Sequence, residues 1–442
     1  MAVATQGTSV VDPDRAGISP QIPADRISYT DLYARWEKGN WSATEIDFSQ
    51  DKIDWQTKLE PIQRKAAIWQ YSLFFWGEDA VADNLSPYID AAPREEQKYF
   101  LATQQVDEAR HAVFFKRFMA EVAGIGGGRA AAEGLEAIRH QLTPGFRVIF
   151  NRLGRMAEEL RRDRSRPKLA EAVTLYHLLI EASLAQAGQH MITSYLQRMG
   201  VMPGFLQGME NVAVDEQRHI AFGVKLISDL AREDRRVPAA VARILRELTP
   251  YTSQVLQPPN WDERYVTCFG FSWDDVGVTG MKSLLGRLRA AGLDPHNLPG
   301  GPIFLRDLSV EEMVRRGRKL ARSGITGVRS GPTARDPETV ALLFDTIRRR
   351  VRPDHGLNKP MTFQWQFTDG DIAPWYLKVE NGTAAVGEGL AERPDLVIRV
   401  PYQLWVDIIG GRRNGLQALL SGKMRVSNPL ALLKLQQVFG EG

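Results

Sequence analysis

The sequence contains one short pattern, Val-Asp-Glu-x-Arg-His, in two copies, VDEARH and VDEQRH. In each copy the glutamate precedes the histidine by three positions, which on a helix places both side chains on one face, one turn apart. Glu108 and His111 can therefore offer a carboxylate oxygen and an imidazole nitrogen to a metal ion. Glu216 and His219 have the same spacing and can offer the same two kinds of ligand atom. One such pair is weak evidence, but two copies with matching flanks predict two metal ions in a shared site.

Two further glutamates lie in strongly apolar predicted helices. Glu78 is part of LFFWGEDAVADNL, and Glu181 is the one acidic residue between Glu171 and Glu210. A lone carboxylate in such a helix is costly to bury unless something pairs with it. A dinuclear carboxylate site in a four-helix bundle takes one glutamate from each of two helices and a Glu-x-x-His pair from each of the other two. The predicted metal ligands are therefore Glu78, Glu108, His111, Glu181, Glu216 and His219.

This set of donors indicates which metals to expect. Carboxylate oxygens with two imidazoles suit iron or manganese better than zinc or copper. Asp107 and Asp215 each precede a predicted glutamate ligand, and a carboxylate at that place can hold the free ring nitrogen of a ligand histidine. Arg110 and Arg218, inside the same motifs, are expected to form structural salt bridges rather than to take part in catalysis.

Long helices must carry these residues. From Pro61 to about Arg232 apolar residues recur at three- and four-residue steps, the spacing of an amphipathic helix. Breaks are expected where glycine and proline are dense, as in GIGGG and GVMPG. The predicted helices are Ile62–Ser86, Arg94–Ala123, Ala130–Arg161, Lys168–Arg198 and Phe205–Arg232.

The last part of the chain has a different pattern. After a predicted helix at Thr339–Val351, short runs such as MTFQWQFTDGD and DLVIRVP alternate apolar with polar residues, as strands do. Asp-Gly within Thr368–Asp371 and Asn-Gly within Glu380–Thr383 are strong hairpin signals. Further predicted helices follow to the end of the chain. The pattern therefore predicts a separate C-terminal α+β domain.

Charge and cysteine content exclude several classes of function. Lysine and arginine total 56 against 53 acidic residues, a net charge of +3, so charge gives no case for nucleic acid as a partner. The one cysteine, Cys268, excludes intrachain disulfides and cysteine-cluster zinc sites. The N-terminus lacks the apolar core of a secretory signal, and no stretch reaches the roughly 18 apolar residues of a membrane-spanning helix. A cytoplasmic protein without stable membrane insertion is expected.

With these predicted ligands, the chain resembles the ferritin-like superfamily, and within it the ribonucleotide reductase small subunits. The resemblance covers about residues 28 to 290 and includes Leu32–Asp51, which looks like the opening segment of that group. Most reductase small subunits carry a radical tyrosine one turn after the first ligand histidine, and here that place is Phe115. They also end in a flexible tail, whereas this chain continues into a folded domain. The resemblance implies a homodimer.

The chain looks more similar to the reductase-like ligand-binding oxidases. Their first metal ligand is a glutamate, as Glu78 is here, followed three residues later by a valine, here Val81. A tyrosine five residues before the third glutamate corresponds to Tyr176. The resemblance implies that Val81 and Tyr176 become joined by an ether bond after the metals meet O₂. It also implies a Mn/Fe or Fe/Fe cofactor with a long-chain fatty acid bound beside it. Both side chains are also compatible with plain core packing.

The C-terminal domain resembles the sterol-carrier-protein lipid-binding domain, over about Pro337–Gly442. The resemblance rests on WYLKVENGTAAVGEG, PDLVIRVPYQLWVDIIGG and ALLSGKMRVSNPLALLKLQQVF. It implies an α/β layer around an apolar tunnel for fatty acyl chains or sterols, and it leaves the lipid-binding residues unknown. Trp375, Trp405 and Ile409 could line such a tunnel, and core packing is the default expectation for each.

Together these observations predict a mainly α fold, in which a ferritin-like helical bundle with a dinuclear metal site precedes an α+β sterol-carrier-like domain. The expected function is that of an O₂-activating oxidase acting on or with a bound long-chain fatty acid or another lipid. A ribonucleotide reductase small subunit and a non-catalytic lipid-binding metalloprotein are the alternatives. The predicted organisation is a flexible N-terminal arm at 1–27, the metal oxidase domain at 28–300, a helical linker at 301–336 and the lipid-binding domain at 337–442.

Overall fold

A computed structural model describes residues 22–127, 130–352, 354–370 and 372–440 of the 442-residue chain. Within these residues the fold is mainly helical, with one five-stranded sheet near the C-terminus. The predicted fold class is thereby confirmed. Of the predicted N-terminal arm, residues 1–21 lie outside the described residues, and Ala24–Arg26 forms a 3₁₀ turn whose Ala24 side chain is buried.

The first part of the chain is built from helices. They are α1 (Tyr29–Lys38), α2 (Ser49–Thr57), α3 (Pro61–Asn84), α4 (Ser86–Ala91), α5 (Glu95–Glu121), α6 (Ala131–Ile138), α7 (Pro144–Arg162), α8 (Arg166–Val173), α9 (Gln186–Met199), α10 (Pro203–Glu233), α11 (Val237–Thr252), α12 (Arg264–Thr267), α13 (Trp273–Ala290), α14 (Val310–Arg322) and α15 (Pro337–Arg349). Helix α3 packs against α5, and α10 packs against the segment that joins α8 to α9. These four elements carry the predicted metal ligands.

One predicted long helix, Ala130–Arg161, is wrong. The chain breaks there into α6, a 3₁₀ turn at Arg139–Gln141 and α7. The Thr143 hydroxyl accepts a hydrogen bond from the Phe146 amide, and Pro144 occupies the first position of α7. Proline is favoured at that position and cannot continue a preceding helix, because it has no N–H to donate and its ring clashes with the turn before it.

The predicted helix Lys168–Arg198 is continuous, but its middle is wound more widely than an α-helix. Between α8 and α9, Thr174–Ala185 forms a π-helical segment, in which each amide bonds to the carbonyl five residues earlier. Such winding is rare and is found mostly at functional sites. This π-helical segment carries Tyr176 and Glu181, and its residues from Thr174 to Ser183 are buried.

The C-terminal sheet has the strand order β3-β2-β1-β4-β5, in which β1 and β4 are parallel and the other neighbours antiparallel. Its strands are β1 (Met361–Phe367), β2 (Trp375–Glu380), β3 (Thr383–Glu388), β4 (Leu396–Val400) and β5 (Arg425–Val426), accompanied by α16 (Tyr402–Ile409), α17 (Gly415–Leu420) and α18 (Pro429–Phe439).

Both predicted hairpin signals lie between antiparallel strands. Asn381 and Gly382 join β2 to β3 with φ angles of 50° and 72°, the left-handed pair that a type I′ turn requires. The Asp-Gly signal lies between β1 and β2, where Gly370 has a φ angle of 84°. Residue 371, the last of that predicted turn, is outside the described residues.

The buried apolar side chains form two separate clusters. The first extends from Ala24 to Phe304 and fills the helical bundle. The second extends from Leu320 to Val438 and joins α14 and α15 to the sheet. The predicted linker contributes to both, since Val310 packs against the first cluster and Leu320 belongs to the second. The exact domain limits stay a prediction. In the described part of the chain, none of the helices combines the length and apolar composition that crossing a bilayer requires.

Candidate dinuclear metal centre

The bundle brings together all six side chains predicted to bind metal. They come from four elements: Glu78 from α3, Glu108 and His111 from α5, Glu181 from the π-helical segment, and Glu216 and His219 from α10. Each of the six is at most 6% exposed. Their assignment as ligands stays a prediction, which their arrangement supports.

Atoms of these side chains form two overlapping groups. Within each group one oxygen or nitrogen per residue lies within 4.8 Å of the others, and the groups are Glu78, Glu108, His111 and Glu216, and Glu108, Glu181, Glu216 and His219. Because Glu108 and Glu216 belong to both groups, each can bridge two metal ions. The remaining members serve one metal each. We refer to Glu78 with His111 as the Glu78 half of the centre, and to Glu181 with His219 as the Glu181 half.

Both imidazoles face the carboxylates through Nδ1. In the Glu78 half, His111 Nδ1 lies 3.3 Å from Glu78 Oε2 and 3.6 Å from Glu108 Oε2. In the Glu181 half, His219 Nδ1 lies 3.6 Å from Glu181 Oε1 and 3.2 Å from Glu108 Oε1. Glu108 thus presents one oxygen to each half, which is the arrangement that a bridging carboxylate requires.

Carboxylates buried side by side repel one another unless cations balance their charge. Burial raises the pKa of Glu78 to about 8 and the pKa of Glu181 to about 7. Burial also raises the pKa of Glu216, and its carboxylate neighbours add to that shift. Within the described residues, Oε2 of Glu181 and Oε2 of Glu216 have no hydrogen-bond partner. Buried oxygens without partners call for an explanation, and with two imidazoles beside them they fit a pair of metal ions.

The two aspartates of the duplicated motif support the histidines across the bundle. Asp215 Oδ2 lies 3.1 Å from His111 Nε2, and Asp107 Oδ2 lies 3.1 Å from His219 Nε2. Each aspartate therefore contacts the histidine of the other helix, not that of its own motif. A carboxylate on Nε2 orients the ring so that Nδ1 faces the centre, and it makes that nitrogen a stronger ligand.

Two arginines join these aspartates to each other. Arg110 forms a salt bridge with Asp107, and its Nη2 lies 3.0 Å from Asp215 Oδ2. Arg218 forms a salt bridge with Asp215, and its Nη2 lies 3.2 Å from Asp107 Oδ2. The expected structural salt bridges are therefore present. They balance the charge of two aspartates that are at most 1% exposed.

Two tryptophans that sequence reasoning missed also reach the aspartates. Trp36 Nε1 donates a hydrogen bond to Asp107 Oδ1 at 2.9 Å, and Trp41 Nε1 donates one to Asp215 Oδ2 at 2.8 Å. Both lie in Leu32–Asp51, the segment whose resemblance to the reductase subunits was the one available signal. Each half of the centre therefore has the same chain of contacts, from tryptophan to aspartate to histidine.

The two residues of the expected ether bond lie beside the centre. The Tyr176 hydroxyl donates a hydrogen bond to Glu108 Oε1 at 2.5 Å. Val81 is 5% exposed and lines the same cavity of about 60 Å³ as Tyr176. Gln104, which sequence reasoning missed, donates to Tyr176 Oη and to Glu181 Oε1, both at 2.9 Å. Its signal was its place on α5, one turn before Glu108.

An aromatic cluster closes one side of the centre. Phe115, at the place of the radical tyrosine, is completely buried. Its ring stacks on Phe74 with centroids 5.6 Å apart and meets the edge of Phe114 at 5.1 Å. These rings carry no hydroxyl, and Phe74 lines the cavity beside the centre.

The C-terminal residues considered for a lipid tunnel divide into two kinds. Trp375 and Trp405 are buried and both stack on Phe344, with centroids 4.7 Å and 5.1 Å away. These two are core residues, as expected. For Ile409 the core expectation is wrong, because 44% of its surface is exposed and it lines a cavity between the bundle and the C-terminal domain. Ile409 is the last residue of α16.

Two family models match the chain. Residues 23–257 match the family described as ribonucleotide reductase, small chain. Residues 357–440 match the SCP-2 sterol transfer family. The two resemblances seen in the sequence are thereby confirmed, although the second match begins about twenty residues later than expected from the sequence, at residue 357.

Solved structures similar to this chain include variants of an R2-like ligand-binding oxidase with a Mn/Fe cofactor. A valine-to-leucine variant, reconstituted anaerobically, is 26% identical with a TM-score of 0.51. A tyrosine-to-phenylalanine variant, reconstituted aerobically, is 26% identical with a TM-score of 0.52. A glutamate-to-aspartate variant, also reconstituted aerobically, is 25% identical with a TM-score of 0.53. Each match covers 60% of this chain and 93% of the other.

Proposed function

Because this chain belongs to the ribonucleotide reductase small-chain family, we propose that it is a dinuclear metal oxidase with a Mn/Fe or Fe/Fe cofactor. It activates O₂ and acts on or with a bound long-chain fatty acid or another lipid. In the same chemistry, Val81 and Tyr176 become joined by an ether bond. The ligands would be the six side chains of the two overlapping groups, and the observation that carries the proposal is that Glu108 and Glu216 belong to both groups.

When bound, the two metal ions supply electrons to O₂ and a strong oxidant for C–H bonds. The protein supplies position and charge. Glu108 and Glu216 hold the two halves at one distance, and the paired aspartates keep the imidazole Nδ1 atoms aimed inward. The buried carboxylates balance the charge of the cations, and Phe74, Phe114 and Phe115 exclude water that would quench the oxidant.

The ether bond has a simple balance. Val81 loses one hydrogen from a side-chain carbon, Tyr176 loses its hydroxyl hydrogen, and a carbon–oxygen bond forms between them. The two electrons and two protons that leave would be taken up by O₂, and the two further electrons that its reduction to water requires would come from the bound metal ions, with two protons from solvent. The Tyr176 hydroxyl already donates to Glu108, so this carboxylate is placed to receive the proton. Gln104 holds the tyrosine oxygen from the other side.

A lipid is the proposed ligand for two reasons. The cavity beside the centre is lined mainly by apolar side chains, among them Leu73, Phe146, Phe150 and Ile180. The C-terminal part matches a sterol transfer family. A cytoplasmic location and a homodimer complete the proposal. The single cysteine fits the first, and the family resemblance supports the second.

The test is peptide mass spectrometry on protein that is loaded with iron and manganese and then exposed to air. We expect a peptide containing Val81 joined to one containing Tyr176, lighter by two hydrogens than their sum. Tyr176→Phe is the matched control, because it keeps the ring and removes the oxygen that the ether needs. Protein that is fully loaded with metal, exposed to air and still free of the joined peptide would contradict the ether.

A ribonucleotide reductase small subunit is the second candidate, favoured by the family match itself. It predicts stable binding to a large reductase subunit and nucleotide reduction by the mixture. Phe115 stands where most such subunits have their radical tyrosine, which lowers the weight of this candidate. A third candidate, a non-catalytic lipid-binding metalloprotein, predicts O₂ consumption that stops once the metals are oxidised. A sustained lipid-dependent O₂ uptake would exclude it.

A further inference from the structure

A large cavity lies between the helical bundle and the C-terminal domain. Its volume is about 730 Å³, within the range of ligand sites for small molecules. We call it the interdomain cavity. Its walls come from α11, α13, the loop at residues 300–305, the ends of α15 and α16, and the end of α18. Neither family match includes all of these elements, since one ends at residue 257 and the other begins at residue 357.

Most of the wall is apolar, as an acyl chain requires. Met281 and Leu284 come from α13, Ile303 from the loop that follows it, Ile347 from α15 and Phe439 from α18. Burial of methylene groups against such a surface is favourable because it removes apolar area from water. The cavity can therefore bind an aliphatic chain along its length.

Two arginines that have no carboxylate partner among the described residues line the same cavity, one from each domain. Arg246, on α11, donates to the carbonyl oxygens of Pro299 and Gly301, both at 3.1 Å. Arg350 follows α15, and among the described residues its guanidinium has no hydrogen-bond or salt-bridge partner. Its side chain is accessible and lines the cavity. The protein atoms that surround the guanidinium there remove it partly from water, which lowers the pKa of Arg350, and repulsion from Arg246 lowers it further.

The other charged groups of the wall are already paired. Arg316 Nη1 lies 2.5 Å from Asp345 Oδ2, and Arg318 Nη2 lies 3.1 Å from Asp274 Oδ2. Glu247, an acidic residue of the wall, accepts from Arg152 at 2.8 Å. The unbalanced charge of the described wall is therefore the positive charge of Arg246 and Arg350. An anion between them would relieve their repulsion and could accept two hydrogen bonds from one guanidinium.

The interdomain cavity adjoins the cavity of the metal centre. Leu184 and Leu256 line both of them. The cavity at the centre, about 60 Å³, is room for a few atoms only. A long acyl chain that reaches the metals must therefore extend elsewhere, and the interdomain cavity borders the same two leucines.

We propose that the interdomain cavity binds an amphiphile with an acyl chain and an anionic head group, held by Arg350 and Arg246 with its chain toward Leu184 and Leu256. The site thereby gives the lipid of the proposed function a place to enter the protein. The head-group site stands on the cavity and its arginines alone, whereas its use in oxidation rests on the proposed function.

Binding of dansyl-labelled undecanoic acid to the metal-loaded full-length protein tests the head-group site. Arg350→Gln should weaken binding by roughly tenfold to a hundredfold, because a charge-assisted hydrogen bond is lost. Binding of the neutral methyl ester should not change, and Arg350→Lys should restore part of the affinity for the acid. Arg155→Gln is the control, since Arg155 is exposed on α7 and does not line the cavity. Thermal unfolding of each variant verifies that it is folded.

Photolabelling locates the probe. Palmitic acid with a diazirine near its carboxyl end should label residues 300–305, 409–411 or 439–440, which line the interdomain cavity. Labels confined to the walls of the metal cavity or to the C-terminal sheet would overturn the proposal. So would equal affinity for acid and ester, or equal effects of Arg350→Gln and Arg155→Gln. Neither experiment needs turnover, so failure of the proposed oxidation would leave these results unchanged and could be recognised separately.

Discussion

The two halves of the metal centre have the same contacts around their histidines but differ in the surroundings of Glu78 and Glu181. In both, a tryptophan donates to an aspartate, which contacts a histidine across the bundle. Glu78, however, lies on the regular helix α3, where its Oε2 is 3.3 Å from His111 Nδ1. Glu181 lies on the π-helical segment, where Gln104 donates to it and to Tyr176. The difference shows that the duplicated motifs on α5 and α10 give both halves the same supporting contacts. The two elements that carry Glu78 and Glu181 differ, and they make the two metal positions unequal.

The largest expected effect comes from a bridging residue. Glu108→Gln should weaken binding of both metals, because a neutral amide cannot balance or bridge two cations. The loss should exceed the roughly 10- to 100-fold that removal of a supporting contact costs. Metal content measured by plasma mass spectrometry checks this. Glu171→Gln is the matched control, since Glu171 is 3% exposed but salt-bridged to Lys168 outside the centre. Retention of both metals in Glu108→Gln would show that Glu108 does not bridge.

Removal of an end ligand should separate the two halves. Glu78→Gln should lose the metal of the Glu78 half and keep the other, and Glu181→Gln should do the reverse, because each carboxylate belongs to only one group. Metal content per chain together with the metal's electronic spectrum distinguishes the two variants. If either variant loses both metals to the same extent as Glu108→Gln, the halves do not bind independently and the comparison fails.

The crossed aspartates allow a finer test. Asp215→Asn should weaken the Glu78 half by about 10- to 100-fold, because Asp215 supports His111, and Asp107→Asn should weaken the Glu181 half. Combined with Glu78→Gln, Asp215→Asn should cost little more, whereas combined with Glu181→Gln it should show its full effect. Metal titrations of the double variants measure this. The opposite pattern would mean that each aspartate supports the histidine of its own motif.

The smallest expected effect concerns the asymmetry itself. Gln104→Leu removes the hydrogen bonds to Tyr176 and Glu181, each worth about 1 kcal/mol, and should slow formation of the Val81–Tyr176 link by about fivefold. A time course of the joined peptide after exposure to air checks the rate. Gln97→Leu is the control, because Gln97 lies on the same helix and donates to Tyr29 instead. Equal rates in both variants would show that the hydrogen bonds of Gln104 do not speed formation of the link.

Much of the fold was predictable because its signals are local. The apolar periodicity predicted α3, α5 and α10, and Asn-Gly predicted the turn at Asn381 and Gly382. The break before α7 was missed, although Thr143 and Pro144 form an N-terminal signal in the sequence. The π-helical segment was missed for a different reason. Its apolar residues fit an ordinary α-helix equally well, and no local sequence preference predicts a helical turn that is wider by one residue.

The sequence by itself determined which residues could form the centre. Glu-x-x-His places both side chains on one helical face, since three positions make nearly one turn, and an isolated carboxylate in an apolar helix needs a cation. The tertiary structure alone decided which aspartate meets which histidine, that Trp36, Trp41 and Gln104 take part, and that two arginines from different domains face one cavity. These contacts join residues as much as 174 positions apart. Their geometry depends on how whole helices pack against one another, and helix periodicity contains no information about that packing.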